Sequence, residues 1–175
     1  MRHTGLTDLP LTDAGREEAR LAGRRLAELD LSAVLVSPLS RARETCELSG
    51  LLGRAEILDD LVERDYGDYE GRTTAEIRAD RPEWEVWRDG VPGGESLEDA
   101  AARADRVIAR ALEVEGDVAV FAHAHILRVL TARWIGLGPE WGGAFPLETA
   151  ALCRLGFERE KRAILRWNET SHLGG

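Results

Sequence analysis

Asp117-Val118-Ala119-Val120-Phe121-Ala122-His123-Ala124-His125 is the stretch on which the fold turns. Val118 to Phe121 run without a polar break. A short apolar run of this kind predicts a strand buried on both faces, as in a parallel sheet. A histidine follows at once, and Ile126 to Ile135 reads as a helix ended by Gly136. Ala33-Val34-Leu35-Val36 gives the same signal earlier, and there Ser37-Pro38 is expected to open a helix, with proline near its first turn. In sheets of this kind ligands sit at the carboxyl ends of strands. Two strand ends therefore matter most: Val36 into Ser37, and Ala122 into His123.

The rest of the chain fits an alternation of helices and strands. Thr12 can cap a helix whose buried face is Ala19, Ala22, Leu26 and Leu29. Thr73 with Glu76 three residues on fits a capping box, for a short helix that stops before Pro82. Ser96 can cap a long helix with Leu97, Ala101, Ala104, Ile108 and Ala111 inward. Ala150 to Phe157 and Ala163 to Trp167 read as two final strands joined by a charged turn. An α/β sandwich with a mostly parallel sheet is the expected class.

Composition bounds the function. At 175 residues the chain is expected to be one domain, residues 1–175, with a core that needs no staples. Lys and Arg number 23 against 32 Asp and Glu, a formal charge of −9. That charge argues against nucleic acid and anionic membranes as partners, while a local basic pocket for a small anion stays allowed. No apolar run approaches a membrane span, and Met1 to Asp8 do not read as a secretory signal. Cys46 and Cys153 lie far apart with no histidine beside them, so neither a disulfide framework nor a structural zinc is expected. A soluble, reduced, cytoplasmic protein is the default expectation.

Three segments could carry chemistry. Arg41 lies in the first turn after the strand end at Val36, where helix N–H groups and a forked guanidinium suit a phosphate. It reads equally as a surface arginine paired with Glu44 or Glu47. His123 follows a buried strand, which suits a phosphate donor or a proton shuttle; a hydrogen-bonded structural histidine is the plainer reading. His123 and His125 lack the further ligands that a metal site needs. In Leu61 to Gly71 a carboxylate near packed aromatics could act as a general acid, though acids in loops are usually solvated. Trp84 and Trp87 read as packing residues.

Four blocks then occur in a recognisable order: Thr4-Gly5-Leu6-Thr7-Asp8-Leu9-Pro10-Leu11-Thr12 with Gly15, Ser37-Pro38-Leu39-Ser40-Arg41-Ala42, Glu63-Arg64-Asp65-Tyr66-Gly67-Asp68-Tyr69-Glu70-Gly71, and Phe121-Ala122-His123-Ala124-His125-Ile126-Leu127-Arg128. Together they resemble the histidine phosphatase superfamily, the phosphoglycerate-mutase-like fold, over nearly the whole chain. Trp84 to Gly90 with Gly94-Glu95-Ser96 resembles its sugar-bisphosphatase branch, including sedoheptulose-1,7-bisphosphatase-type enzymes. The resemblance implies a three-layer α/β/α sandwich and metal-independent hydrolysis of a small phosphate ester through a phosphohistidine, with no cofactor. By block it implies Arg41 as phosphate clamp, His123 as the second pocket histidine and Glu63 as proton donor. Thr4, Gly5, Ala124 and His125 match substrate-contacting positions, and Tyr66, with Arg64, Tyr69, Trp87 and Arg88, is a candidate pocket wall. Ala124 replaces the family's usual glycine, at little cost if its backbone angles are ordinary.

One motif of that family is missing. Its first, central strand ends in Arg-His-Gly and supplies the nucleophile; Arg2-His3-Thr4-Gly5 stands too close to the next block to be its equivalent. His3 is read as a binding-loop residue, and the domain as N-terminally incomplete. Without that strand, Ala33–Val36 and Val118–Ala122 are expected to lose a neighbour. Either the natural protein starts upstream and carries the nucleophile, or the chain is a non-catalytic relative that binds a phosphorylated ligand or a partner protein. Phosphoglycerate mutase is the further alternative; the absence of a basic insertion between Gly90 and Pro92 favours hydrolysis. A homodimer is a candidate assembly, and His172 is expected in a frayed tail.

Overall fold

The computed structural model describes residues 2–174. Helix α1, Asp13–Leu26, is capped by Thr12, whose side chain accepts the Gly15 N–H. It ends a turn earlier than its apolar spacing predicts: Ala19 and Ala22 are buried, whereas Leu29 lies beyond the helix and is half exposed. Strand β1, Leu31–Val36, leads into helix α2, Ser40–Leu48. Pro38 lies before α2 rather than in its first turn. The Ser37 N–H still donates to the Phe121 carbonyl, so the sheet continues to that residue. The cap of α2 comes from elsewhere: Asp8 Oδ1 accepts both the Ser40 N–H (2.8 Å) and its hydroxyl (2.7 Å).

Strand β2, Ala55–Ile57, was not legible as a strand; it has three residues, two of them exposed. Helix α3, Thr74–Asp80, carries the expected Thr73–Glu76 capping box and stops before Pro82. Helix α4, Leu97–Leu112, is capped by Ser96. Its buried face is Ala100, Ala101, Ala104, Val107 and Ile108, with Leu97 and Ala111 only partly covered. Strand β3, Asp117–Phe121, runs into helix α5, Ala124–Trp134, which begins two residues earlier than read. Strands β4, Leu152–Glu158, and β5, Lys161–Glu169, form the expected antiparallel hairpin. The Trp134 indole N–H ties it to α5 through the carbonyls of Gly156 and Ala163.

The parallel sheet has the order β2-β1-β3. Leu35 faces a core shared with α4 and α5, including Ala104, Ile126 and Val129. Val34 and Val36 face the other way, against Ala42 and Cys46 of α2. Alternate residues of one strand thus serve two cores, and helices cover both faces, giving three layers. A third cluster packs Tyr66, Tyr69, Ile77 and Trp84 together. Among the described residues no helix is long and apolar enough to cross a membrane.

The expectation that both buried strands lack a neighbour is corrected in part. Strand β1 is paired on both sides, and among the described residues β3 has no partner on the side away from β1. Between that edge and the hairpin lies a cleft of about 2080 Å3, walled by Ala19 and Ala22 of α1, Val118 and Val120 of β3, Leu130 of α5 and Leu155 of β4. His172 is not frayed. Its turn, Ser171–Leu173, packs against α1, and its Nε2 lies 3.0 Å from the Ala150 carbonyl.

Candidate active site

The two strand ends that the sequence singled out meet in space. Arg41, in the first turn of α2, points its Nε–H at Nδ1 of His123, 3.1 Å away. An arginine only donates, so Nδ1 is the acceptor and Nε2 carries the proton of a neutral ring. That Nε2 lies 2.8 Å from the Ser37 hydroxyl, to which it donates. Burial, reinforced by the Arg41 charge, holds His123 far below the usual histidine range, at about 3. The ring is therefore a neutral donor at physiological pH. Ser37, wholly buried beneath it, was not singled out from sequence; its position at a strand end was the available signal.

Glu63 is buried at the start of α5. His123 caps that helix by backbone alone. Glu63 supplies the side-chain cap from another part of the chain: Oε2 accepts the His125 N–H (3.0 Å), and Oε1 accepts those of Ile126 (3.1 Å) and Arg64 (2.9 Å). Three amide donors and the helix dipole favour the carboxylate. Burial outweighs them and raises the carboxyl above its ordinary range. A buried carboxyl whose proton is held more firmly than usual is suited to donating it to a leaving group.

The loop Thr4–Thr7 closes over Arg41. Arg41 Nη2 donates to the Gly5 carbonyl (2.9 Å) and Nη1 to that of Thr7 (3.0 Å). Thr4, Arg41, Glu63, His123 and Ala124 all line the end of the cleft. Ala124 is the first residue of α5 and its φ is negative, so replacing a glycine there costs no backbone strain.

Tyr66 and His125 are not brought to that cleft. His125 is buried and stacks on Trp87 with centroids 3.8 Å apart and an interplanar angle of 19°. Its Nε2 receives an Arg64 N–H at 3.3 Å, so its Nδ1 carries the proton and donates to the Tyr66 oxygen at 3.3 Å. Burial pushes His125 down and the Tyr66 phenol up. Arg64, Tyr69 and Trp87 are likewise buried, and Arg88 faces solvent beside Asp89. Arg64, Tyr66 and Trp87 thus pack around His125 in the first turn of α5. His3 is half-buried: its ring packs on Tyr66 and Trp84 and reaches Thr74 Oγ1 at 3.2 Å. Among the described residues no three His, Cys, Asp or Glu side chains gather as metal ligands.

This arrangement places two donor groups, Arg41 and His123, and one buried carboxyl, Glu63, along one end of the cleft, a set that could hold a phosphoryl group. Comparison with known proteins identifies the family. The model of the histidine phosphatase superfamily (branch 1) matches residues 1–170. An acid phosphatase of Mycobacterium tuberculosis is 42% identical, over 98% of this chain and 86% of its own. Sedoheptulose 1,7-bisphosphatase of Saccharomyces cerevisiae is 36% identical, over 78% of this chain and 62% of its own. Phosphoglycerate mutases are also among the relatives. A solved structure of a Mycobacterium tuberculosis open reading frame superposes with a TM-score of 0.92 at 41% identity, covering 98% of this chain and 90% of that one.

Proposed function

The chain belongs to branch 1 of the histidine phosphatase superfamily, and from that premise we propose that it hydrolyses monoesters of small phosphorylated metabolites, sugar phosphates foremost, with a nucleophilic histidine carried by a segment that precedes residue 1. The observation that carries this reading is the Arg41–His123 pair, 3.1 Å apart, at the end of the cleft that also holds Glu63. The cleft supports the second half. Strand β3 presents a free edge along its length, and its carboxyl end leads straight to His123. A strand laid parallel to β3 would deliver its own last residues beside Arg41 and Glu63.

The steps balance on this constellation. The nucleophilic ring nitrogen forms a bond to phosphorus as the ester P–O bond breaks. Arg41 offsets charge on the phosphoryl oxygens, joined by His123 once its Nε2–H turns from the Ser37 hydroxyl to a phosphoryl oxygen. Glu63 gives its proton to the leaving alkoxide. Water then attacks phosphorus, the P–N bond breaks, and Glu63 recovers a proton from that water. No step needs a metal ion, so a chelator should leave turnover unchanged.

The test compares this chain with a version extended upstream in its reading frame. The reading expects turnover of phosphate esters and an acid-labile phosphoenzyme in the extended form only. If both forms bind inorganic phosphate and neither forms a phosphoenzyme, the protein is a phosphate-ligand binder. Interconversion of 2- and 3-phosphoglycerate faster than release of phosphate would make it a mutase.

A further inference from the structure

The loop that aims Arg41 has no secondary structure and no core beneath most of it; Leu6, Thr7, Asp8 and Leu9 are all exposed. Hydrogen bonds on two sides hold it instead. On one side, the carbonyls of Gly5 and Thr7 accept from the Arg41 guanidinium. On the other, a single carboxylate, that of Glu70, takes the amides of the same two residues: Gly5 N–H lies 2.8 and 3.0 Å from its two oxygens, and Thr7 N–H 3.2 Å from one of them. Each of these two residues thus links an anion to a cation, its N–H held by Glu70 and its carbonyl by Arg41.

Glu70 does not line the cleft, so it has no contact with anything bound there. Its influence runs through the loop. Three acceptors orient the Arg41 guanidinium, and two of them are loop carbonyls; the third is His123 Nδ1. We propose that Glu70 is a positioning residue: by holding the Gly5 and Thr7 peptides, it sets Arg41 and, through Arg41, the protonated nitrogen of His123. In this geometry each terminal nitrogen of Arg41 keeps one N–H without a partner among the described residues, a forked pair available to a phosphoryl group. This last consequence rests on the phosphatase reading; the link from Glu70 to His123 does not.

The experiment uses this chain with 15N-labelled histidine. Ring-nitrogen shifts report which tautomer each histidine adopts, and inorganic phosphate is titrated in parallel. In the wild type, His123 is expected as the Nε2–H form. In Glu70→Ala the loop loses both amide acceptors, His123 should become a mixture of tautomers, and phosphate should bind at least ten-fold more weakly. Glu70→Gln keeps one acceptor oxygen and should fall between the two. His125, held by Arg64 and Tyr66, is expected to keep its Nδ1–H form in both variants. Unchanged His123 signals in both variants would overturn the proposal, and so would an equal change at His125, which would mean general loosening. A wild type that binds no phosphate while His123 responds to Glu70 would overturn the phosphatase reading and leave the positioning role standing.

Discussion

The Nε–H of Arg41 is donated to Nδ1 of His123, and this bond fixes the tautomer of a ring that burial, reinforced by the Arg41 charge, keeps neutral. A protonated His123 would present a hydrogen to a group that can only donate. The folded protein therefore keeps His123 neutral, while the unfolded chain protonates it near pH 6.5. The folded pKa lies below the unfolded one, so the unfolded state binds more protons as pH falls. Stability is full above about pH 6.5 and declines towards pH 3, by about 1.4 kcal/mol per pH unit for each such histidine. His125, also depressed, acts in the same direction. Glu63, with its raised pKa, opposes them above the ordinary carboxyl range. Urea midpoints of the wild type and His123→Asn between pH 4.5 and 7.5 isolate the His123 contribution. The variant should show the shallower slope; parallel curves would refute a neutral, depressed His123.

Glu63 has two duties that one substitution separates. As proton donor it matters most for poor leaving groups. Glu63→Gln in the extended form should lower turnover of alkyl phosphates far more than that of p-nitrophenyl phosphate, whose leaving oxygen needs little help. Equal losses on both would remove it from acid catalysis. As the cap of α5 it accepts three backbone N–H groups, and glutamine offers only one acceptor oxygen beside an NH2. A stability loss of about 1–3 kcal/mol should accompany the change, from amides left without acceptors.

What was legible follows from how far each signal extends along the chain. Ala33–Val36 and Val118–Phe121 are continuous apolar runs, and Ser96, Thr12 and Thr73 cap their helices with their own side chains, so these elements stand out locally. Strand β2 is three residues long and half exposed, too short to show a period. Pro38 misled because the cap of α2 is Asp8, which lies 32 residues away. Within the site, Arg41, His123 and Glu63 could be named because two follow strand ends and all three fall in matching blocks. Glu70, Asp8 and Ser37 act by hydrogen bonds to distant segments, and such bonds leave no pattern in a single sequence. His125 and Tyr66 were marked by their blocks, but burial turns them inward.

Gly5 is needed for closeness rather than for backbone angle. A Cβ there would lie 2.1 Å from the Arg64 carbonyl oxygen, and backbone cannot yield as a side-chain tip can. Gly5→Ala should push the loop away from Glu70 and Arg41, at about 1–3 kcal/mol of stability, and weaken binding of inorganic phosphate. Gly53→Ala is the matched control: nothing lies within 4 Å of its Cβ position, and it should stay within about 0.5 kcal/mol of the wild type. Calorimetric titration with phosphate beside urea unfolding reads both. Full phosphate affinity in Gly5→Ala would separate the loop from the function of Arg41.

The free edge of β3 makes the last prediction. Backbone N–H groups along a strand point alternately to either side. Those of β3 that face β1 are bonded, and the others open on the cleft. Val34 to Val36 of β1 are paired on both sides and should exchange their amide hydrogens slowly. In this chain β3 should show alternation, slow and fast residue by residue from Val118 to Phe121. In the version extended upstream, a strand seated in the cleft would take the outward amides as well, and their exchange should slow by at least a hundred-fold. Residue-resolved exchange of the two forms, followed by NMR, measures this directly. If the outward amides of β3 exchange alike in both, the upstream segment does not fill the cleft, and no nucleophile reaches Arg41 and His123 by that route.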